Sequence, residues 1–269
     1  MGVNLWAFAG VHLSGDGFAP PTIGEFFPGP IFFADTPYEL SRLNAIGLIM
    51  TTVLCVFFIA AFSNARFVPS RIQNLGEMAV DLVQKSIIEE VLGHKGPRYA
   101  VYLTSMFWLL FAFNITGIIP LMHISVTSVV GLPFLLALIS SIIFNYEGIR
   151  ANGLGHYLKT NLFPPGVPAP IYLLVTPIEF ISTFILRPVT LTVRLLANMI
   201  SGHLLLVLFF TATSYFLFDS EGVMKLVAIP SYVMGFAFTL FEVLVAFLQA
   251  YIFTLLTAVY IDGATSAEH

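Results

Sequence analysis

Two apolar stretches, residues 171–218 and 225–261, restrict this chain more than any other feature, because neither contains a polar loop long enough to turn the backbone. As helices rising 1.5 Å per residue they would extend about 72 Å and about 55 Å. A bilayer's hydrocarbon core is only about 30 Å thick. Each stretch therefore crosses twice, or once as a steeply tilted or bent helix. Pro188 is a ready cause of a kink, yet nothing polar separates two crossings within 171–218. The expectation is one tilted or bent helix from each stretch, paired as a hairpin through the short turn "FDSEGV" at 218–223. A soluble home is ruled out by composition: 58% of the 269 residues are apolar and 10% charged, against about 45–50% and about 25% in soluble domains.

Three further segments have the length and apolarity of membrane spans, at 44–63, about 99–119 and about 124–144. The fold class expected is an all-α membrane protein of five transmembrane helices plus one interfacial helix, with residues 1–43 as an extracytoplasmic segment and 44–269 as the membrane domain. The interfacial helix is placed at about 70–92. Ser70 and Gln73 there have capping-box spacing, Pro69 precedes them and Gly93 follows. Ile72, Leu75, Met78, Leu82, Ile87 and Val91 form a rough apolar stripe, interleaved with Arg71, Glu77, Asp81, Lys85 and Glu89. Such a helix lies on the membrane surface or against a partner. Lys and Arg concentrate in 64–98 and in 145–170, whereas the opposite loops hold only Arg42 and Lys225. The positive-inside rule then places the N-terminus outside and the C-terminus in the cytoplasm.

Several function classes drop out. A net charge of −4 gives no sign of a nucleic-acid partner. The lone cysteine, Cys55, lies inside an apolar run, so neither a disulfide framework nor a cysteine metal cluster is expected. Residues 1–43 lack the basic and apolar regions of a cleavable signal peptide, and Trp6 stands where a myristoylation motif needs Ser or Thr. "GHKGPR" at 93–98 is not a phosphate-binding loop. No cofactor, metal site or nucleotide site is expected on this chain.

What remains is a set of polar residues inside the long helices. Glu179, Arg187, Arg194, Asn198 and His203 lie on the first, Glu242 and Gln249 on the second. A charge at the centre of a membrane helix costs about 2.5–3.5 kcal/mol on insertion scales, so such groups face a partner, a cavity or a pathway. At 100° per residue Arg194, Asn198 and Ser201 share a face, while His203 points to the far side. Glu242 and Gln249, seven apart, share a stripe. Arg187 is close enough to the membrane boundary to snorkel, and lone Asn or Gln side chains commonly serve as interhelical glue. Arg194 is different, because its charge is permanent and no evident acid nearby neutralises it. Its partner is expected on another chain.

An electron carrier would need paired deep histidines, and only His203 is deep. A proton- or sodium-coupled secondary transporter would show repeated, interrupted helices, and no convincing repeat exists. A proton-conducting subunit needs titratable groups in series, and His203 with Glu242 can relay protons while Asn198 and Gln249 orient water.

"RPVTLTVRLLANMISGHLL" followed by "FEVLVAFLQAYIFTLLTAVYI" resembles the a-subunit family of bacterial-type F-type ATP synthases, the stationary half of their membrane motor. The resemblance covers both long helices closely and the five-span layout more loosely. It places the family's essential arginine on Arg194, its asparagine on Asn198, the glutamine of the last helix on Gln249 and its upstream acid on Glu179. In many bacterial members the position of His203 carries an acid and that of Glu242 a histidine; the pair is exchanged here. The resemblance implies two half-channels for protons, a c-ring whose buried carboxylates face Arg194, b-type peripheral stalk subunits, and residence among the lipids of the cell's inner membrane.

Overall fold

A computed structural model of the chain describes residues 30–32, 40–63, 66–119, 125–163, 171–218 and 220–266. Most of the 1–43 segment, and His123, lie outside them. Among the described residues the protein is all-α apart from one short antiparallel pairing of β1 (Pro30–Phe32) with β2 (Leu40–Ser41). The chain divides into two compact units. One comprises Met1–Val53, Phe111–Val129 and Leu196–Leu248; the other comprises Leu54–Leu110, Val130–Leu195 and Gln249–His269.

α1 (Arg42–Phe62) is apolar throughout. Leu48, Val53, Val56 and Ile59 are exposed along it, as expected of side chains that face lipid rather than a core. The interfacial helix starts where its sequence signal stands: Ser70 caps α2 (Arg71–Val83) by accepting the Gln73 backbone N–H at 3.3 Å. The helix continues through a π turn (Gln84–Ile88) into α3 (Glu89–Leu92). One detail differs from expectation. Gln73 does not reach back to Ser70. It clamps the preceding loop instead, exchanging bonds of 3.0 and 3.1 Å with the Arg66 carbonyl and N–H and donating to Glu77 at 2.8 Å. The face that packs within the chain lies beside the apolar stripe, of which Ile87 alone is buried. Gln73, Gly76, Ala79 and Val83 are buried, whereas Ile72, Leu75 and Met78 are exposed. Small residues win because the contact is close: a Cβ on Gly76 would come within 2.7 Å of the Ala61 Cβ. α4 (Gly96–Ile115) secures the same helix through Trp108, whose indole N–H donates to the Ala79 carbonyl at 3.0 Å.

The third expected span, 124–144, is shifted: the helix found, α5, runs Gly131–Asn152. The polar run "NYEGIRAN", expected in the 145–170 loop, continues the helix because its polar groups are partnered. Glu147 accepts from Arg98 and Tyr99, and Asn145 accepts from Tyr157 at 2.8 Å, Tyr157 lying on the following α6 (Leu154–Leu162). The first long stretch is helical throughout: α7 (Tyr172–Ile181), a π turn (Ser182–Leu186) and α8 (Arg187–Phe218). Pro188 lacks an N–H, and its ring would press on the carbonyl of Phe184 in a regular helix. Phe184 lies within the π turn, which relaxes that spacing. A 3-10 segment (Gly222–Val227) leads into α9 (Ala228–Thr265).

Among the described residues, four helical stretches are long and apolar enough to cross a membrane: Arg42–Phe62, Gly131–Asn152, Leu174–Phe218 and Gly222–Thr265. α4, the remaining expected crossing, has 20 residues, but Arg98 in its first turn and Asn114 in its last shorten its apolar part. The unit containing Leu196–Leu248 is zipped by aromatic pairs between α8 and α9. Phe209 stacks on Phe238 at 5.2 Å, and Ser231 donates to the Phe209 carbonyl at 3.1 Å. In the other unit Leu103, Phe107, Leu110, Ala137, Phe144, Leu191, Leu195, Phe253 and Ile261 are fully buried.

Candidate functional site

α8 is amphipathic in burial though not in composition. Leu191, Leu195, Met199, His203 and Leu206 form its buried stripe at helical spacing. Val189, Val193, Ala197, Ser201 and Leu205 form an exposed stripe. Arg194 and Asn198 are half-buried and border the exposed one. The sequence expectation that Arg194 and Asn198 share a face while His203 lies opposite is met by this pattern.

Within the unit containing Leu196–Leu248, His203 and Glu242 are both buried, 7% and 6% exposed. Glu242 lies against Gly202, the residue preceding His203. A Cβ built on Gly202 would collide with the Glu242 carboxylate and come within 3.2 Å of its Cγ. The carboxylate thus occupies the space that a side chain at 202 would take. Sequence reasoning did not identify this contact; its only trace was the single glycine of α8, beside the histidine. Asn198 lies one turn before Gly202 on the same helix.

The other unit holds Arg194, Gln249, Glu179 and Arg187. Gln249 is buried, 5% exposed, and its side-chain oxygen has no hydrogen-bond partner among the described residues. Glu179 is half-buried on α7 and forms no ion pair among the described residues. Arg187 does not merely reach for the surface. Its guanidinium carbon lies 4.9 Å from the centre of the Tyr260 ring and 6.0 Å from that of Phe144, two rings that are themselves 5.5 Å apart. Arg187 is therefore spoken for by aromatic faces. Arg194 has no such neighbour and forms no ion pair among the described residues. No group of His, Cys, Asp and Glu among the described residues could hold a metal ion.

Residues 45–262 match the family described as ATP synthase A chain. The chain belongs to that family. Among its relatives is ATP synthase subunit a of Rhodococcus erythropolis (strain PR4 / NBRC 100887), 48% identical over 257 residues, which are 95% of this chain and 94% of the relative. ATP synthase subunit a of a Parafrankia species is 40% identical across 94% of this chain and 83% of its own length. That of Frankia alni is 38% identical across 96% and 90%. The ATP synthase A chain match takes in every candidate residue from Glu179 to Gln249.

Proposed function

We propose that this chain is the proton-conducting stator subunit of a rotary F-type ATP synthase, held in the cell's inner membrane with its N-terminus outside and its C-terminus in the cytoplasm. The observation that carries this reading is Arg194, a permanent charge on a membrane helix, half-buried at the edge of an exposed stripe, with no ion-pair partner among the described residues. A carboxylate carried past that stripe by another subunit, a c-ring, supplies the counter-charge.

Protons are taken up from outside at Glu242 and His203, with Asn198 and Gln249 orienting water. A water on Gln249 would also satisfy its buried oxygen, whose orphaned state otherwise costs on the order of 1–3 kcal/mol. The proton neutralises a ring carboxylate. A neutral carboxyl can pass through lipid, whereas a bare charge cannot without a large desolvation cost. After almost a full turn the proton leaves toward the cytoplasm past Glu179. Arg194 holds the deprotonated carboxylate and separates the two half-channels. Each proton falling through 100 mV supplies about 2.3 kcal/mol to the rotation. The chain has no nucleotide site in this scheme, so ATP chemistry belongs to other subunits, and b-type peripheral stalk subunits brace the chain against the ring. Family membership does not favour the secondary-transporter reading.

Affinity purification of the tagged chain from mild detergent tests the proposal. Co-purification of a c-ring and a peripheral stalk is expected, and the recovered complex in vesicles should make ATP after an acid-to-base jump. Recovery of the chain alone, moving a solute against its gradient in exchange for protons, would replace this reading with the transporter.

A further inference from the structure

A cavity of about 580 Å³ opens where the first turn of α4 meets the last turns of α5 and α9, and its lining includes His94, Lys95, Arg98, Glu147, Arg150 and Thr265. Three permanent cations face it. Lys95 is held by α9, 3.6 Å from Asp262 and within 3.3 Å of the Thr265 hydroxyl. Arg98 spends a single nitrogen on both oxygens of Glu147, at 3.0 and 2.9 Å, so its other N–H donors stay available, and its side chain is 53% exposed. Tyr99 donates to the same carboxylate at 2.9 Å. Glu147 therefore lies beneath its donors, its side chain 11% exposed, and repels an incoming anion little. Arg150 and His94 are exposed and make neither an ion pair nor a hydrogen bond among the described residues. With Glu147 and Asp262 counted against Lys95, Arg98 and Arg150, one positive charge is left over.

We propose that this cavity binds a phosphate group, carried by the headgroup of an anionic phospholipid or free in solution. Guanidinium forks match phosphate oxygens in geometry. The cavity also lies at the ends of two apolar helices, Gly131–Asn152 and Gly222–Thr265. Phosphates of a bilayer sit at that level, and basic pockets between membrane helices recognise anionic headgroups. The site is independent of the proton path, since none of its residues takes part in it.

Photolabelling of the full chain in its purified complex tests this. The probe is phosphatidylglycerol carrying a photoactivatable group near its headgroup, with adducts mapped on segments 93–99 and 147–151. Labelling there is expected, with competition by unlabelled phosphatidylglycerol and none by phosphatidylcholine. The double variant His94→Gln/Arg150→Gln should reduce it about tenfold. Arg150→Glu, which reverses a charge that makes no ion pair or hydrogen bond among the described residues, should do the same in a complex of unchanged thermal midpoint. Displacement by millimolar inorganic phosphate supports the site and makes free phosphate its ligand; resistance to it assigns the lipid. Equal competition by phosphatidylcholine, or undiminished labelling in both variants, would overturn the proposal.

Discussion

The carboxylate of Glu242 fills the space beside Gly202 that any other residue would claim for its own side chain. Alanine normally stabilises a helix interior by about 1 kcal/mol relative to glycine, so Gly202→Ala would be benign on an unconstrained helix. Here the obstructing atoms belong to the end of a flexible side chain. The expected outcome is a displaced carboxylate in a fully assembled complex: proton uptake and ATP synthesis fall by about tenfold or more, a barrier rise of about 1.4 kcal/mol. Adding Glu242→Asp, one methylene shorter, should recover part of the loss. Unchanged synthesis in Gly202→Ala would show that the contact has no part in proton uptake.

Exchanging the partners tests whether they share one path. His203→Glu and Glu242→His should each slow proton uptake by about 10²-fold or more, the usual effect of removing a positioned proton-transfer group. The double variant His203→Glu/Glu242→His retains one acid and one imidazole and should recover part of the rate. Vesicles with a pH-sensitive dye inside read this directly. A double variant no better than the worse single one contradicts a shared path.

Much of this arrangement was legible in residue order. The Ser70 cap, the helix that follows it, the two long stretches and the faces of α8 all follow from spacing. What was not legible depends on contacts between distant segments. The polar end of α5 reads as a loop until Glu147 meets Arg98 and Tyr99, about 50 residues earlier in the chain. Arg187 resembles a snorkelling residue until Tyr260 and Phe144 are placed over it. The face of α2 that packs within the chain was not legible either, because large apolar residues dominate a hydrophobicity pattern, while a close helix contact selects Gly76 and Ala79.

Arg187 and Arg194 lie seven residues apart on α8, yet their losses should differ in kind. A cation over an aromatic ring contributes about 0.5–2 kcal/mol, and loss of 1 kcal/mol lowers the midpoint of a domain of this size by about 2–4 °C. Tyr260→Leu should therefore lower the thermal midpoint by a few degrees while leaving ATP synthesis within about twofold of normal. Loss of synthesis in an assembled, equally stable Tyr260→Leu complex would assign that cluster to the proton path instead.

The membrane orientation can be read by thiol labelling. Cys55 is exposed on α1, so the background is Cys55→Ser. Lys159→Cys and Ser266→Cys should react with an impermeant maleimide only from the cytoplasmic side, and Ser220→Cys only from outside. Labelling of Ser266→Cys from outside would mean that 171–218 crosses the membrane twice.

The most direct measurement is made on Arg194→Ala in reconstituted vesicles, with assembly, passive proton flux and ATP synthesis followed on the same preparation. On the proposed mechanism the guanidinium holds the deprotonated ring carboxylate and separates the half-channels. Arg194→Lys should fail as well, because a compact, strongly hydrated ammonium does not reproduce the planar fork. The expected result for Arg194→Ala is a complete complex that makes no ATP and leaks protons without rotation. Near-normal synthesis by an assembled Arg194→Ala complex would contradict the role assigned to this residue.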